Sequence, residues 1–262
     1  MKLTFLGTAA AEGMPALFCN CKYCMEAKKR GGKNVRTRSQ SMINDNLLID
    51  FSADAYLHSF NSKVDFSNVK YVIFTHSHSD HCYPDGLKYS EERLTVVGNE
   101  GIRKKIGDTS HINFILNEEF VPIQLGNYIV TPFPAYHMQG SDEKPKIYMI
   151  SDGEKNLLYA HDTGFIFDEI IDYIKGKGIH LDFCSLDCTS AFFKEEGKGS
   201  HMCFDQCSIT KQRLIDGGIA DDVTVFYVNH FSHNAYPLHE EMCEEGEKRG
   251  FGVSYDGHSV II

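Results

Sequence analysis

The densest group of metal-binding side chains in this sequence lies between residues 76 and 81. The segment reads His76-Ser77-His78-Ser79-Asp80-His81 and follows the apolar run at residues 71–75. In extended backbone, alternate side chains face the same way, so His76 and His78 can reach one ion. The chain must then turn to bring Asp80 and His81 to a second ion. Nitrogen and carboxylate ligands of this kind suit zinc, iron or manganese. The alternative is a polar surface loop, but 13 histidines in 262 residues rarely cluster so densely by chance.

A second group of possible metal ligands contains sulfur. Cys19, Cys21 and Cys24 lie within six residues, in a chain with nine cysteines. The first seven residues are too short in apolar content for a signal peptide and indicate a strand, so we predict a cytoplasmic protein. In such a reducing compartment, cysteines are more often metal ligands or buried thiols than disulfides. Thiolate ligands favour zinc, and a structural zinc site has four protein ligands in a closed tetrahedral set that leaves no position for a substrate. Buried thiols without a metal are the alternative.

The elements that must position these groups are strands and helices in alternation. Predicted strands cover residues 3–7, 41–43, 47–50, 69–75, 94–98, 128–132, 146–150, 156–160, 181–186, 223–229 and 252–254. Predicted helices cover residues 165–175, 204–215 and 238–248. This pattern indicates sheets covered by helices. Polar clusters follow the strands that end near residues 75, 133, 160 and 229, so rigid strand ends would deliver the ligands. We find no linker or repeat, and predict one domain over residues 1–262.

The motif at residues 76–81 resembles the His-x-His-x-Asp-His hallmark of the metallo-β-lactamase superfamily. The further ligands that this resemblance implies occur in the expected order after later strands, as His137, Asp162 and His230. It implies an α/β fold, the metallo-β-lactamase αββα sandwich, in which two mixed sheets pack face to face with helices outside. The implied ligands of the first ion are His76, His78 and His137. Those of the second ion are Asp80, His81 and His230. Asp162 would bridge the two ions.

Within this superfamily the chain is most similar to the phosphoribosyl cyclic phosphodiesterases of phosphonate degradation. The matching motifs are Leu3-Thr4-Phe5-Leu6-Gly7-Thr8, Gly13-Met14-Pro15, Cys19-Asn20-Cys21-Lys22-Tyr23-Cys24 and His230-Phe231-Ser232-His233. The sequence departs from the pattern at Ala9-Ala10, where that branch has glycines. The resemblance implies that His233 joins Cys19, Cys21 and Cys24 on one structural zinc, while His230 serves the reactive pair. His201 stands where the branch has a histidine near the substrate phosphate; an uninvolved loop histidine is the alternative. The other histidines, including His161, are predicted to be structural or exposed.

The function implied by this resemblance is that of a dinuclear metal-dependent phosphodiesterase acting on a small, cyclic phosphodiester. Two divalent ions (Zn, Mn or Fe) would lower the pKa of a shared water, so that a bridging hydroxide attacks phosphorus. The predicted catalytic side chains are Asp80 and His201, and His201 would bind the phosphate or protonate the leaving oxygen. The alternatives are a transfer-RNA 3′ processing nuclease, a thioester or lactam hydrolase, and a metal-binding module without turnover.

The charge of the chain restricts its partners. The formal net charge is −10, which weighs against nucleic acid because neutralising many phosphates needs a basic face. The two basic clusters, Lys28-Lys29-Arg30 and Arg103-Lys104-Lys105, are predicted to be solvated helix surface. No run of about 18 apolar residues is present, so no membrane span is expected. The expected partner is a small anionic phosphodiester substrate, and a homodimer is left open.

Overall fold

Two seven-stranded β-sheets form the centre of the protein in a computed structural model that describes residues 1–193, 199–236 and 238–262. The strands of the first sheet are β1 (Lys2–Gly7), β2 (Gln40–Ile43), β3 (Leu47–Ile49), β4 (Tyr71–Ile73), β5 (Thr95–Gly98), β6 (Asn113–Leu116) and β14 (His258–Ile261). The strands of the second sheet are β7 (Ile123–Leu125), β8 (Tyr128–Pro134), β9 (Lys146–Ser151), β10 (Asn156–Ala160), β11 (Phe183–Asp187), β12 (Val225–Asn229) and β13 (Gly252–Val253).

Both sheets are mixed. The first sheet has the order β14-β1-β2-β3-β4-β5-β6, with antiparallel pairs from β14 to β3 and parallel pairs from β3 to β6. The second has the order β7 to β13, antiparallel as far as β10 and parallel beyond it. The predicted fold class, a sandwich of two mixed sheets, is therefore confirmed.

The period-two alternation of each strand divides the apolar residues into layers. Leu47 and Ile49 of β3 point into a core between the sheets, where they share a cluster with Tyr148 and Leu157 of the second sheet. Leu48, between them, points the other way into a cluster on the outer face of the first sheet. Each sheet is thus buried on both faces, which requires helices outside it.

The helices are α1 (Lys22–Arg30), α2 (Ala55–Asn61), α3 (Glu100–Ile106), α4 (Asp168–Gly176), α5 (Phe204–Asp216) and α6 (His239–Arg249). The three predicted helices correspond to α4, α5 and α6, and α6 ends at Gly250 in the left-handed conformation, as its sequence indicates. Helix α4 starts at Asp168 rather than Phe165, although Ile166 is still buried against the same core. Within the described ranges, no helix combines the length and apolarity that a bilayer crossing requires.

Candidate active site

The predicted ligands meet where four strands end. His76–His81 follow β4, His137 follows β8, Asp162 follows β10, and His230 follows β12 directly. The first strand belongs to one sheet and the other three belong to the second. The site therefore lies across the edge of the sandwich, with its side chains fixed by the hydrogen-bonded strands behind them.

His76, His78 and His137 form the first donor group, with their ring nitrogens within 4.8 Å of one another. His78 Nδ1 lies 2.8 Å from His76 Nε2 and 3.3 Å from His137 Nε2. The other nitrogen of His76 lies 2.9 Å from the Thr75 hydroxyl, which directs Nε2 toward the group. Burial lowers the pKa of His76 well below its ordinary value and also lowers the pKa of His137. The buried imidazoles are thus neutral and have a lone pair available for a metal ion.

Asp80, His81 and His230 form the second donor group. His81 Nε2 lies 3.2 Å from His230 Nε2 and 3.3 Å from Asp80 Oδ2. Each imidazole is oriented through its Nδ1 atom, His81 by Asp50 Oδ2 at 2.7 Å and His230 by Thr189 Oγ1 at 2.7 Å. Both Nε2 atoms therefore point toward the same space, as metal-ligating histidines require.

Asp162 lies between the two groups and contacts both. Its Oδ1 is 3.5 Å from His137 Nε2, and its Oδ2 is 2.9 Å from His81 Nε2 and 3.2 Å from His230 Nε2. Despite these short distances, no described residue has the geometry of a hydrogen bond to the buried Oδ2 atom. An orphaned carboxylate oxygen among imidazole nitrogens is the arrangement expected when all of them face a shared cation.

The buried carboxylates of the site also create a negative potential that favours a bound cation. Burial opposes ionisation of Asp162, yet His230 and His81 hold its pKa well below its ordinary range. Burial likewise disfavours the charged form of His81, but Asp162, Asp80 and Asp50 together raise its pKa well above the usual value. Asp162, Asp80 and Asp50 thus surround this imidazole with negative charge that a bound cation would balance. The donor atoms and their charge therefore fit divalent metal ions.

Two buried carboxylates that support the site were missed by the sequence analysis. Asp187 accepts hydrogen bonds from the backbone N–H groups of Asp162, Thr189 and Met202, and from His201 Nδ1 at 3.0 Å. Asp50 accepts from the backbone and the hydroxyl of Thr75, besides contacting His81 Nδ1. Their positions in the sequence could have indicated them, because Asp187 ends the apolar strand β11 and Asp50 follows the apolar strand β3, as the predicted ligands follow their strands.

A cavity of about 500 Å³ opens above the donor groups. Its lining residues are Ala10, Ala11, Glu12, His78, Ser79, Asp80, His137, Asp162, Thr189, His201, His230 and Ser232. His201 is partly exposed to this cavity, and its Nδ1 is 3.9 Å from Asp162 Oδ1. The structure therefore brings His201 together with the predicted ligands rather than leaving it in a distant loop.

The sulfur-rich group is separate from this cavity. Ligand atoms of Cys19, Cys21, Cys24 and His233 lie within 4.8 Å of one another, and His233 Nδ1 is 3.5 Å from Cys24 Sγ. Cys21 Sγ also accepts from the N–H of Cys24 and caps α1. Burial raises the pKa of Cys24 to about 11, so a free thiol there stays protonated unless a metal displaces the proton. The four side chains form the closed soft set that zinc prefers.

The loop that carries the cysteines is fixed to the end of β12. Backbone hydrogen bonds run from Ala10 N to Phe231 O at 3.0 Å and from Phe231 N to Thr8 O at 2.9 Å. Phe231 lies between the two histidines that belong to different donor groups, His230 and His233. The sulfur-rich group is consequently connected to the candidate active site through the two residues between these histidines, Phe231 and Ser232.

One of the two basic clusters differs in part from its prediction. Lys28, Lys29 and Arg30 are exposed in the last turn of α1, as expected. In the second cluster, Arg103 and Lys104 are exposed, but Lys105 is half-buried and its ammonium donates to the carbonyl of Ser77. The prediction of solvated surface was wrong for Lys105, because the tertiary fold places α3 beside the loop that follows β4.

Comparison with known proteins identifies one family model and one curated relative. The model of the β-lactamase superfamily domain matches residues 45–214. The curated relative is an octanoyltransferase from Porphyromonas gingivalis, 25% identical over 281 residues. The match covers 100% of this chain but 52% of that protein, so the chain spans about half the length of this relative.

Several solved structures share the fold over the whole chain. Zn²⁺-bound PqqB from Methylobacterium extorquens has a TM-score of 0.78 and 18% identity, with 100% of both chains covered. A diphosphatase from the PhnP family has a TM-score of 0.74 and 18% identity, covering 100% of this chain and 97% of its own. The short form of human tRNase Z has a TM-score of 0.64 and 14% identity, covering 100% and 99%. At these identities the likeness concerns the fold alone.

Proposed function

This chain belongs to the β-lactamase superfamily, and on that premise we propose that it is a metal-dependent phosphodiesterase for a small, cyclic phosphodiester. The observation that carries the proposal is a carboxylate, Asp162, shared by two donor groups at the floor of the 500 Å³ cavity. Two ions held close together suit in-line displacement at phosphorus, and a cavity of this size suits a small molecule.

The donor groups divide naturally between two ions. His76, His78 and His137 would hold one ion, Asp80, His81 and His230 the other, with Asp162 contacting both. When bound, zinc, manganese or iron ions would supply an acidified water as the nucleophile and positive charge for the phosphoryl oxygens. The chain contributes the fixed spacing, because Asp162 is buried and its backbone N–H is held by Asp187 at 2.9 Å.

His201 is the side chain placed to move a proton. Its Nδ1 lies 3.0 Å from Asp187 Oδ2, a contact that fixes the ring at the wall of the cavity. Burial opposes ionisation of Asp187, but His201 beside it lowers the pKa of this carboxyl. From its place on the cavity wall, the His201 ring can bind the substrate phosphate or pass a proton to the leaving oxygen.

The test compares two diesters that differ in their leaving group. The enzyme with Mn²⁺ should hydrolyse bis(p-nitrophenyl) phosphate and a ribose cyclic phosphate. On the cyclic substrate, His201→Gln should lower kcat by about a hundredfold or more, since an alkoxide needs a proton to leave. On bis(p-nitrophenyl) phosphate the loss should be far smaller, because p-nitrophenolate leaves unprotonated. The matched control is His161→Gln, a histidine that is buried against Ser185 outside both donor groups.

Three results would overturn the proposal. One is the absence of diester turnover with zinc, manganese or iron, which would favour a binding module. Another is faster cleavage of a transfer-RNA precursor than of the small diesters, which would favour the nuclease. The third is preferential hydrolysis of a thioester or a β-lactam.

A further inference from the structure

Ser77 separates His76 from His78, and both peptide groups that flank it are held by side chains from other parts of the chain. Its N–H, in the peptide that joins it to His76, donates to Glu143 Oε1 at 2.8 Å. Its carbonyl, in the peptide that joins it to His78, accepts from the Lys105 ammonium. With both peptide planes fixed, the directions in which His76 and His78 leave the backbone are fixed too.

Glu143 is the centre of this arrangement. Besides the Ser77 N–H, its carboxylate accepts from the Ser77 hydroxyl and from Asn99 Nδ2 at 3.0 Å. Asn99 Nδ2 also donates to the Lys144 carbonyl at 2.9 Å, which holds the segment that carries Glu143. The Glu143 carboxylate thus accepts three hydrogen bonds, whose geometry is specific, and these bonds bury little apolar surface.

The first turn of α3 is shaped to admit this carboxylate. A Cβ atom built on Gly101 would lie 2.3 Å from Glu143 Cδ and 2.4 Å from its Oε2. Any side chain at residue 101 would therefore displace the carboxylate from Ser77. The glycine is not needed for an unusual backbone angle, because it does not have a positive φ. The close approach to Glu143 is the reason that the structure gives for glycine here.

We propose that Glu143 is a positioning residue of the metal centre, which aims His78 at the same point as His76. The inference rests on the proposed binding of metal by His76, His78 and His137. Of these three histidines, His76 and His137 are buried, whereas His78 is exposed and lacks that packing. The direction of His78 Nδ1, 2.8 Å from His76 Nε2, thus depends on the backbone that Glu143 and Lys105 hold.

The test measures Co²⁺ binding to metal-free protein, with the visible d–d band for the histidine centre and thiolate charge-transfer bands for the cysteine site. Glu143→Ala should weaken Co²⁺ binding at the histidine centre by about 10–100-fold, the range found when an outer partner of a ligand is removed. Glu143→Gln should be intermediate, because its carbonyl still accepts the Ser77 N–H. Gly101→Ala should weaken binding as well, since its Cβ displaces the carboxylate. The melting temperature of the metal-free variants should stay near that of the wild type.

The two control positions lie outside the contacts between Glu143 and Ser77. Asp142→Asn changes the exposed carboxylate beside Glu143, and Gly176→Ala changes a helical glycine whose Cβ would meet nothing within 4 Å. Both should bind Co²⁺ within about twofold of the wild type, since neither touches an outer partner of the ligands. Wild-type affinity in Glu143→Ala, or equal weakening in Asp142→Asn, would overturn the positioning role alone. A wild type that binds no Co²⁺ at the histidines would instead overturn the proposed function and this inference together.

Discussion

His230 and His233 are three residues apart but belong to different donor groups, so alanine at each position separates the two sites. His230 Nε2 lies 3.2 Å from Asp162 Oδ2, at the floor of the cavity. His233 Nδ1 lies 3.5 Å from Cys24 Sγ, in the closed sulfur-rich group. We expect His230→Ala chiefly to lower the activity. His233→Ala should chiefly lower the stability, because the free energy of zinc binding at the sulfur-rich group is part of the folding free energy.

The magnitudes follow from the geometry. His233 supplies one of four donors, and we take its loss to weaken zinc binding by about a hundred- to thousandfold. At equal free zinc, this lowers the free energy of unfolding by about 2.7–4.1 kcal/mol, and the melting temperature by roughly 5–15 °C for a chain of this size. His230 is a proposed metal ligand beside Asp162, the carboxylate that both donor groups share. Its loss should therefore lower kcat at least about a hundredfold, which corresponds to about 2.7 kcal/mol of transition-state stabilisation.

Three measurements on each variant decide the matter: melting temperature at fixed free zinc, zinc content by elemental analysis, and turnover of a phosphodiester. His233→Ala should lose one zinc per chain, and the double variant Cys21→Ser/Cys24→Ser should lose the same zinc. Equal losses of stability and of activity in His230→Ala and His233→Ala would refute the division into two sites. So would a wild type without tightly held zinc.

Three further predictions concern single residues. Asp162→Asn should lower kcat at least about a hundredfold, near 2.7 kcal/mol, while His161→Gln should change it far less; pH–rate profiles of both variants check this. Gly164→Ala should destabilise the protein by more than about 2 kcal/mol in denaturant unfolding, because its Cβ would lie 1.6 Å from the Gly199 carbonyl oxygen. Burial lowers the pKa of His58 from 6.5 to about 4, so below pH 6.5 the unfolded chain binds a proton that the native state refuses. The free energy of unfolding should fall by up to about 1.4 kcal/mol per pH unit between pH 6.5 and pH 4, and His58→Gln should flatten that slope.

The elements that the sequence predicted best are those with strong periodicity. Helix α4 buries Ile170, Ile171 and Ile174 on one face, and the buried strands of both sheets are apolar runs of strand length. The helices α1, α2 and α3, for which the sequence indicated no bounds, have seven to nine residues each. The strands β6, β7 and β14 were also missed, since they lie at sheet edges and most of their residues are only partly buried or exposed. Short or half-exposed elements leave a weak pattern because tertiary contacts, rather than their own sequence, decide their conformation.

The candidate site shows the same division between local and distant information. The segment at residues 76–81 could be recognised from the sequence because it has four potential ligands within six residues. Asp50 and Asp187 are isolated aspartates, and only the folded chain shows that one holds His81 and the other holds His201. The polar contacts of Glu143 with Ser77 span 66 residues, so no local motif could have indicated them.

The cavity is lined by two kinds of segment, strand ends and a loop, and this affects how the protein can evolve. The donor side chains stand on strand ends, whose backbones the sheets hold in place. Ala10, Ala11 and Glu12 line the same cavity from the loop that the backbone hydrogen bonds with Phe231 attach to β12. Substitutions or insertions in that loop reshape what a substrate meets and leave the donors where they are. Selectivity and reactivity are therefore encoded in separate stretches of sequence, and descendants of this chain are free to change one while inheriting the other.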